Sequence, residues 1–427
     1  AAARTGASVL LLEKHGCVGG MATAGLLAFM GPLDNAERNE ADWTRFRLDR
    51  EGRPYPPEIA VGARIVRGIP EEIILRLAAQ GAAEVPTFGY IPVNIEALKY
   101  LLETLLLEAG VRLQYYTTVA AAEAHVEGVT LTLANKAGLQ QVSCRRVIDA
   151  TGDGDVAAFL AAEVGMGREA DGKTQGVTLV FRLGNVQTDP LDFLPDSPSY
   201  QQVRQQATAA FARGEFSFNP GGIGCVSVVP GLPGVFMVNH QHTYDIQGTN
   251  PDDLTFATLN GRRQIQELVR FYQQYVPGCE GCYLLDTANQ LGVRETRRII
   301  GDYVLTRDDI LDARSFPDSI VKYAYMLDIH LPGETSEGGR TELKPGTAYE
   351  IPYRCLLPKG LDNVLVAGRC ISTTHEALSS IRLMTCCMAM GQAAGTAAAL
   401  SLREAVAPRD LDVTLLQDTL RHDGALV

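Results

Sequence analysis

Ala7-Ser8-Val9-Leu10-Leu11-Leu12-Glu13-Lys14, followed beyond His15 by Gly16-Cys17-Val18-Gly19-Gly20-Met21-Ala22-Thr23-Ala24-Gly25, is the stretch whose reading decides the fold. Its first half is almost continuously apolar, which suits a parallel strand buried on both faces. The strand ends in an acid. In a dinucleotide-binding βαβ unit, an acid closing the second strand hydrogen-bonds the adenosine ribose, about 20 residues after a glycine-rich phosphate loop. Glu13 stands only 13 residues into the chain. The phosphate loop and first strand are therefore expected upstream of residue 1, with this chain an amino-terminally truncated form. Residues 1–5 then read as the last turn of a helix, stopped by Gly6. A solvated acid after a strand is the plain alternative for Glu13. The second glycine-rich loop decides between them, because paired glycines let backbone N–H groups approach an anion or a ring edge that side chains would block.

Working outward, 427 residues exceed one ordinary core and suggest two to three domains. With 46% hydrophobic and 21% charged residues the composition is globular, so global disorder is excluded. Lys and Arg total 38 against 50 Asp and Glu, a net charge of −12, and no basic run occurs. That argues against a nucleic acid or an anionic membrane as partner. Nine scattered cysteines do not form a disulfide framework, so a reducing cytoplasm is the expected location. Cys279 and Cys282 read as a fortuitous pair in a loop. Residues 383–402 carry no charge and contain Gly391 and Gly395 at helix-packing spacing. They consist mostly of small residues, with Gln392 in the middle, so they read as a helix buried against a sheet rather than a membrane span.

Two further blocks share the character of the first. Val147-Ile148-Asp149-Ala150-Thr151-Gly152-Asp153-Gly154-Asp155 ends a strand in Ala-Thr-Gly, and Asn363-Val364-Leu365-Val366-Ala367-Gly368-Arg369 leads through residues 372–382 into the uncharged helix. With Glu13-Lys14 and Gly19-Gly20-x-x-Thr23, these blocks resemble FAD-dependent oxidoreductases of the glutathione-reductase-like superfamily, kin to the fumarate-reductase and thiazole-synthase type. The resemblance implies an α/β fold: a Rossmann-like FAD-binding domain (parallel sheet plus β-meander) with an inserted α+β substrate or cap domain. It implies FAD as cofactor and hydride transfer between flavin and a small organic substrate. By the same resemblance Glu13 holds the ribose with Lys14 beside it. Gly19, Gly20, Met21 and Thr23 line the pyrophosphate or flavin, Val119 touches adenine, and Ala150, Thr151 and Gly152 flank the dinucleotide. Gly368, Arg369 and Ile381 approach the flavin, a helix N-terminus being suited to an anion. Many relatives carry an acid where Arg369 stands. A flavin-fold protein without activity in this form, or an electron-transfer subunit using Cys279 and Cys282, are the rival readings.

The expected FAD-binding domain comprises residues 1–35, 93–164 and 347–427, and the cap comprises 36–92 and 165–346. The stretch 36–92 mixes Pro, Gly and charge (Asp42-Trp43-Thr44-Arg45, Tyr55-Pro56-Pro57). Asn94 is a good N-cap before Ile95, Leu98, Leu101, Leu102, Leu105 and Leu106 at helical spacing, and Gly110 stops that helix. Alternating runs at 117–126, 129–133 and 140–144 predict the meander, leading into a buried strand at 146–150. Within the cap, strands are expected at 177–183, 225–229 and 235–238, and an amphipathic helix at 252–275.

Chemistry is expected from three residues. His375 lies between the Gly368 turn and the uncharged helix, where the resembling fumarate-reductase type puts a substrate-binding His; its pKa range also suits proton transfer. Arg382 just before the helix suits an anion. Arg294 lies in Gly292-Val293-Arg294-Glu295-Thr296-Arg297-Arg298, where strand alternation puts Arg294, Thr296 and Arg298 on one face; a cross-strand ion-pair ladder is the structural alternative. His240 and His242 share a strand face by spacing but have no recognisable third ligand, so no metal is expected. His330 is read as structural or at the surface, and Cys386-Cys387 as core packing.

Overall fold

The computed structural model describes residues 1–34, 64–84, 90–187, 198–330, 339–344 and 346–427. Gly6 closes the first turn at a φ of +100°. The Gly6 amide donates to Ala3 O and the Ala7 amide to Ala2 O, both at 3.0 Å, which is the paired capping pattern of a helix end. The strand Leu10–Leu12 follows and pairs in parallel with Arg112–Gln114, Leu11 opposite Leu113. It is half-buried rather than covered on both faces. Helix α1 (Ile69–Ala78) and helix α2 (Ile95–Glu108) come between these two strands in the chain. The Asn94 side chain caps α2 by accepting from the amides of Glu96 and Ala97 at 3.1 and 3.2 Å.

The meander forms as expected, from strands Thr118–His125, Gly128–Asn135 and Gly138–Cys144 in sequential antiparallel order. The strand Val147–Asp149 then pairs in parallel with Val364–Val366. The parallel part is thus two two-stranded pairs rather than one continuous sheet among the described residues. Asp149, buried below this junction, accepts from Thr151 N and Oγ1 and from Ala157 N. One carboxylate thereby shapes the Ala-Thr-Gly turn and anchors the short helix α3 (Asp155–Phe159).

The expected α+β unit is an antiparallel sheet of four strands, in the order Cys225–Val228, Phe236–Asn239, Phe181–Gly184, Tyr283–Thr287. Helix α4 (Pro198–Ala212) and the long helix α5 (Pro251–Tyr275) complete it. Asn250 caps α5 and Pro251 starts it, a pairing that suits the unsatisfied first-turn amides. Phe181, Leu268, Phe271 and Tyr272 are at the centre of this core. The strand anticipated at 177–183 is laddered only from Phe181, because Val177 and Thr178 make isolated bridges to Thr243 and Gly292.

The remaining helices are α6 (Arg307–Leu311), α7 (His375–Ile381), α8 (Met384–Arg403) and α9 (Val413–His422). The largest core joins α8 to α1, α2 and the antiparallel pair of Ser319–Tyr323 with Tyr349–Pro352. Residues 64–84 and the strand Ser319–Tyr323, both placed in the cap by sequence, pack into this same core beside α8. Composition shows a loss of βαβ rhythm but not which core an apolar face joins. The Trp43 and Tyr55-Pro56-Pro57 stretch lies outside the described residues. Helix α8 is buried along most of its length, as expected. No single described helix is long and apolar enough to cross a membrane; α7 and α8, bent by 94°, pass that test only as a pair.

Candidate functional site

The first half of the site is a row of turns at the ends of the parallel strands. Glu13 follows Leu12, accepts Thr117 N through its carbonyl and accepts His15 N at 2.8 Å through Oε1. Val119, two residues beyond Thr117, is half-buried on the first meander strand, at a bulge in its register. Lys14 is exposed and its charge reaches Asp155. Gly19 has a φ of +111°, and a Cβ there would meet Thr23 Cγ2 at 2.8 Å and Leu102 Cδ1 at 3.0 Å, so only glycine fits. Gly20, at a φ of +53°, faces open space. Thr23 turns inward and gives its hydroxyl to Val18 O at 2.7 Å, so it holds the loop's shape. Met21 packs its thioether toward Gly25 and Gly292.

Across from this loop, Ala150 and Thr151 are exposed, and the Thr151 hydroxyl is already engaged by Asp149 and by the amides of Asp153 and Asp155. A Cβ on Gly152 would lie 2.6 Å from Arg369 Nη2, so the glycine makes room for that guanidinium. Arg369 Nη2 donates to Asp153 Oδ1 at 3.0 Å, while Nη1 is buried with no partner among the described residues. The charge reversal at Arg369 is thus answered by Asp153 on the neighbouring turn. Gly368, at a φ of +85°, leaves its surroundings open, with Cys387 Sγ 3.9 Å from a would-be Cβ. Ile381 lies in the large core, and its carbonyl accepts from Cys387 Sγ.

The segment Arg294 to Arg298 joins everything else. Only Arg297–Ile299 is a strand, opposite Val164–Met166, which carries no charge. The cross-strand ion-pair ladder therefore does not exist, and the simple alternation fails before Arg297. Instead Arg298 folds back three residues to pair with Glu295, donates to Thr373 O at 3.0 Å and also to Gly167 O. Arg297 donates to Asp153 O at 2.8 Å and pairs with Asp155, whose carboxyl is pushed up by burial and then by Asp153. Thr296 donates to Asp153 Oδ1.

Glu295 was not anticipated. It is 1% exposed, accepts the Gln175 amide at 3.2 Å, and lies 2.7 Å from His375 Nδ1, within ion-pair reach though off the line of an ideal hydrogen bond. His375 is the first residue of α7, capped by Thr374, and its Nε2 is buried without a partner among the described residues.

Arg382 ends the same short helix. It donates to Asp328 O at 3.1 Å and lies 3.5 Å from Asp328 Oδ2, with Nε buried and unpartnered among the described residues. Asp328 also takes Arg340 Nε at 3.2 Å and His330 Nε2 at 3.1 Å. Burial raises its pKa, but His330, Arg382 and Arg340 together hold the carboxyl well below its ordinary range. His330 stacks on His242 with ring centroids 4.9 Å apart. Burial, then the charge of Arg294, pushes His330 down to about 4. His240 and His242 do not share a face: His240 turns into the second core against Tyr272 and Phe271. Among the described residues no group of three or more His, Cys, Asp or Glu could hold a metal ion. A cavity of about 720 Å³ beside α1 is lined by Arg4, Glu72 and Gln392 among others, and by none of the expected site residues.

The arrangement can receive a dinucleotide. The glycines open at Gly20 and Gly368, with the donors of Arg369 and Arg382 and the ring nitrogen Nε2 of His375 that have no partner among the described residues, offer the positions and charges that an anionic cofactor and its substrate need. A parallel-strand α/β protein with such donors at its strand ends is a dinucleotide-binding class. The chain belongs to the FAD dependent oxidoreductase family, whose model matches residues 1–420, and FAD is its cofactor. No curated protein matches. Among solved structures, the chain is similar to a geranylgeranyl bacteriochlorophyll reductase-like protein from Thermoplasma acidophilum, at 12% identity and a TM-score of 0.45 over 99% of this chain and 79% of that one. It is also similar to p-nitrophenol 4-monooxygenase from Pseudomonas putida, at 11% identity and a TM-score of 0.36 over 70% of this chain and 64% of that one. For aklavinone-11 hydroxylase, solved with FAD and aklavinone, identity is 14% and the TM-score 0.38 over 94% of this chain and 59% of that one. These likenesses are loose, and the family assignment rests on the matched residues of the family model. The chain spans less than two thirds of the length of the two hydroxylating enzymes.

Proposed function

We propose that the protein moves a hydride between a small organic substrate and FAD, with His375 handling the accompanying proton. The observation that carries this reading is His375 itself: a buried imidazole set against a buried carboxylate on one nitrogen and, among the described residues, left without a partner on the other. When bound, FAD supplies the acceptor or donor of the hydride. Glu13, Gly19, Gly20, Gly152, Gly368 and Arg369 would hold it, with Lys14 at the rim.

The protein's own residues supply the rest. Glu295 fixes the His375 ring with Nδ1 protonated, leaving the Nε2 lone pair toward the substrate. As a substrate carbon is oxidised, His375 Nε2 takes the proton of its hydroxyl or amine, and in the reverse direction returns it. Arg298 holds Glu295 in place. Positioned proton transfer of this kind contributes about 10²–10⁴-fold. The test is to load the full chain with FAD and follow anaerobic flavin reduction across alcohols, amines and acids. His375→Asn is expected to keep flavin content and lose about 10²-fold or more in reduction rate. A chain that takes up no flavin, or a His375→Asn variant that reduces at the parent rate, would overturn the proposal.

A further inference from the structure

We infer that Arg294, Arg340 and Arg382 form a receiving site for an organic acid, so that the substrate of the reaction proposed above is a small carboxylate. It rests on that reading only in calling the bound acid a substrate.

Among the described residues, three guanidiniums gather around one carboxylate, Asp328. Arg340 and Arg382 contact it directly, while among the described residues Arg294 bonds only to neutral oxygens, Gly176 O at 2.7 Å and Thr178 Oγ1 at 2.8 Å. Arg294 is 8% exposed. Arg294 feels the charge of Asp328 but bonds to no anion among the described residues, and a buried guanidinium without a bonded counter-charge is costly because it has lost its water. Burial, and then the nearby Arg382, weaken its hold on its proton, yet arginine stays charged at neutral pH. The neighbouring imidazoles of His242 and His330 cannot serve as counter-ions, and burial and then Arg294 disfavour their charged forms. Two polar atoms complete the case: the donor Arg382 Nε and the ring nitrogen His242 Nε2 are buried with no partner among the described residues. Exposure rises from Arg294 to Arg340, whose side chain is 40% exposed, so the charge runs from a closed end to a rim. Planar guanidiniums match a carboxylate by paired N–H donors. Helix α7 carries Arg382 at one end and His375 at the other, about 10 Å apart at 1.5 Å per residue, which places the acid group a small molecule's length from the proton carrier.

The test titrates the full chain, with and without FAD, with acetate, succinate and benzoate, each beside its neutral amide at constant ionic strength. The readouts are the thermal midpoint and, with FAD, the visible flavin spectrum. At least one acid is expected to bind about tenfold or more tighter than its amide. Arg294→Gln should weaken that acid about tenfold, Arg340→Gln about threefold, and Asp328→Asn should tighten it. The opposite sign for Asp328→Asn cannot come from loss of folding, and Arg340→Gln at the rim serves if Arg294→Gln does not fold. Acids no tighter than their amides, or acid binding unmoved by both arginine substitutions, overturn the inference. Acid selectivity in a chain that binds no flavin supports it while removing the redox proposal.

Discussion

His375 and His240 are both buried, and their surroundings give them different work. His375 meets a carboxylate and keeps one nitrogen free. His240 instead has its Nε2 at 2.6 Å from Pro220 O and its Nδ1 facing the Tyr272 hydroxyl, with no charge beside it. Burial pushes His240 down to about 4, against the Pro220 bond that favours the charged form. An unfolded histidine titrates near 6.5, at about that value, so between the two pH values only the unfolded chain takes up the proton. The contribution is complete above about pH 6.5 and lost as pH falls toward 4, by roughly 3 kcal/mol. His240→Leu is expected to flatten the acid side of a thermal-midpoint profile recorded against pH. At Glu295, replacement by Gln leaves Arg298 buried without its anion and His375 without its orienting charge. The expected result is roughly 3 kcal/mol of lost stability and a changed pH profile of flavin reduction, with flavin content retained, read by denaturant titration and stopped-flow.

Single elements were legible where their cause is local. Asn94 announces α2 because a side chain two residues away from its amide targets needs no distant partner, and Gly6 and Gly110 end their helices for the same reason. Asn94→Ala is expected to cost about 1–2 kcal/mol, the more so because Asn94 also donates to Pro230 O across the second core; chemical denaturation measures it. Gly19→Ala is expected to leave the chain folded and lower its flavin occupancy, because the new methyl must displace Thr23 at a backbone angle alanine avoids. The ratio of flavin to protein absorbance reads this directly. What stayed hidden depended on pairing over distance. Glu295 serves a histidine eighty positions later in the chain, and the Asp328–Arg340 contact exists because those residues face each other across a two-residue ladder. Helix α4 is rich in glutamine and weakly amphipathic, so periodicity did not mark it.

At the level of the molecule, a large core around α8 and a second core under the four-stranded sheet are joined along Arg294 to Arg298. Gly176 and Thr178, which Arg294 holds, lead into the second core, while Glu295 and Arg298 reach His375 and Thr373 beside the first. If FAD is held as proposed, by Gly152 and Arg369 beside the Asp153 that Thr296 and Arg297 contact, it should stabilise both sides at once. FAD at a hundredfold excess over its dissociation constant is expected to add about 2.7 kcal/mol and to merge the calorimetric unfolding of the two large cores into a single transition. The same five-residue joint has a consequence for how such a protein diversifies. On the roles proposed above, neighbouring positions answer to the fuel molecule, the proton and the nucleotide, so a change made there is expected to disturb all three together. New preferences are expected to arise instead at outlying Arg340 and the Tyr90–Tyr325 pair it faces, where one property can drift while the others stay intact.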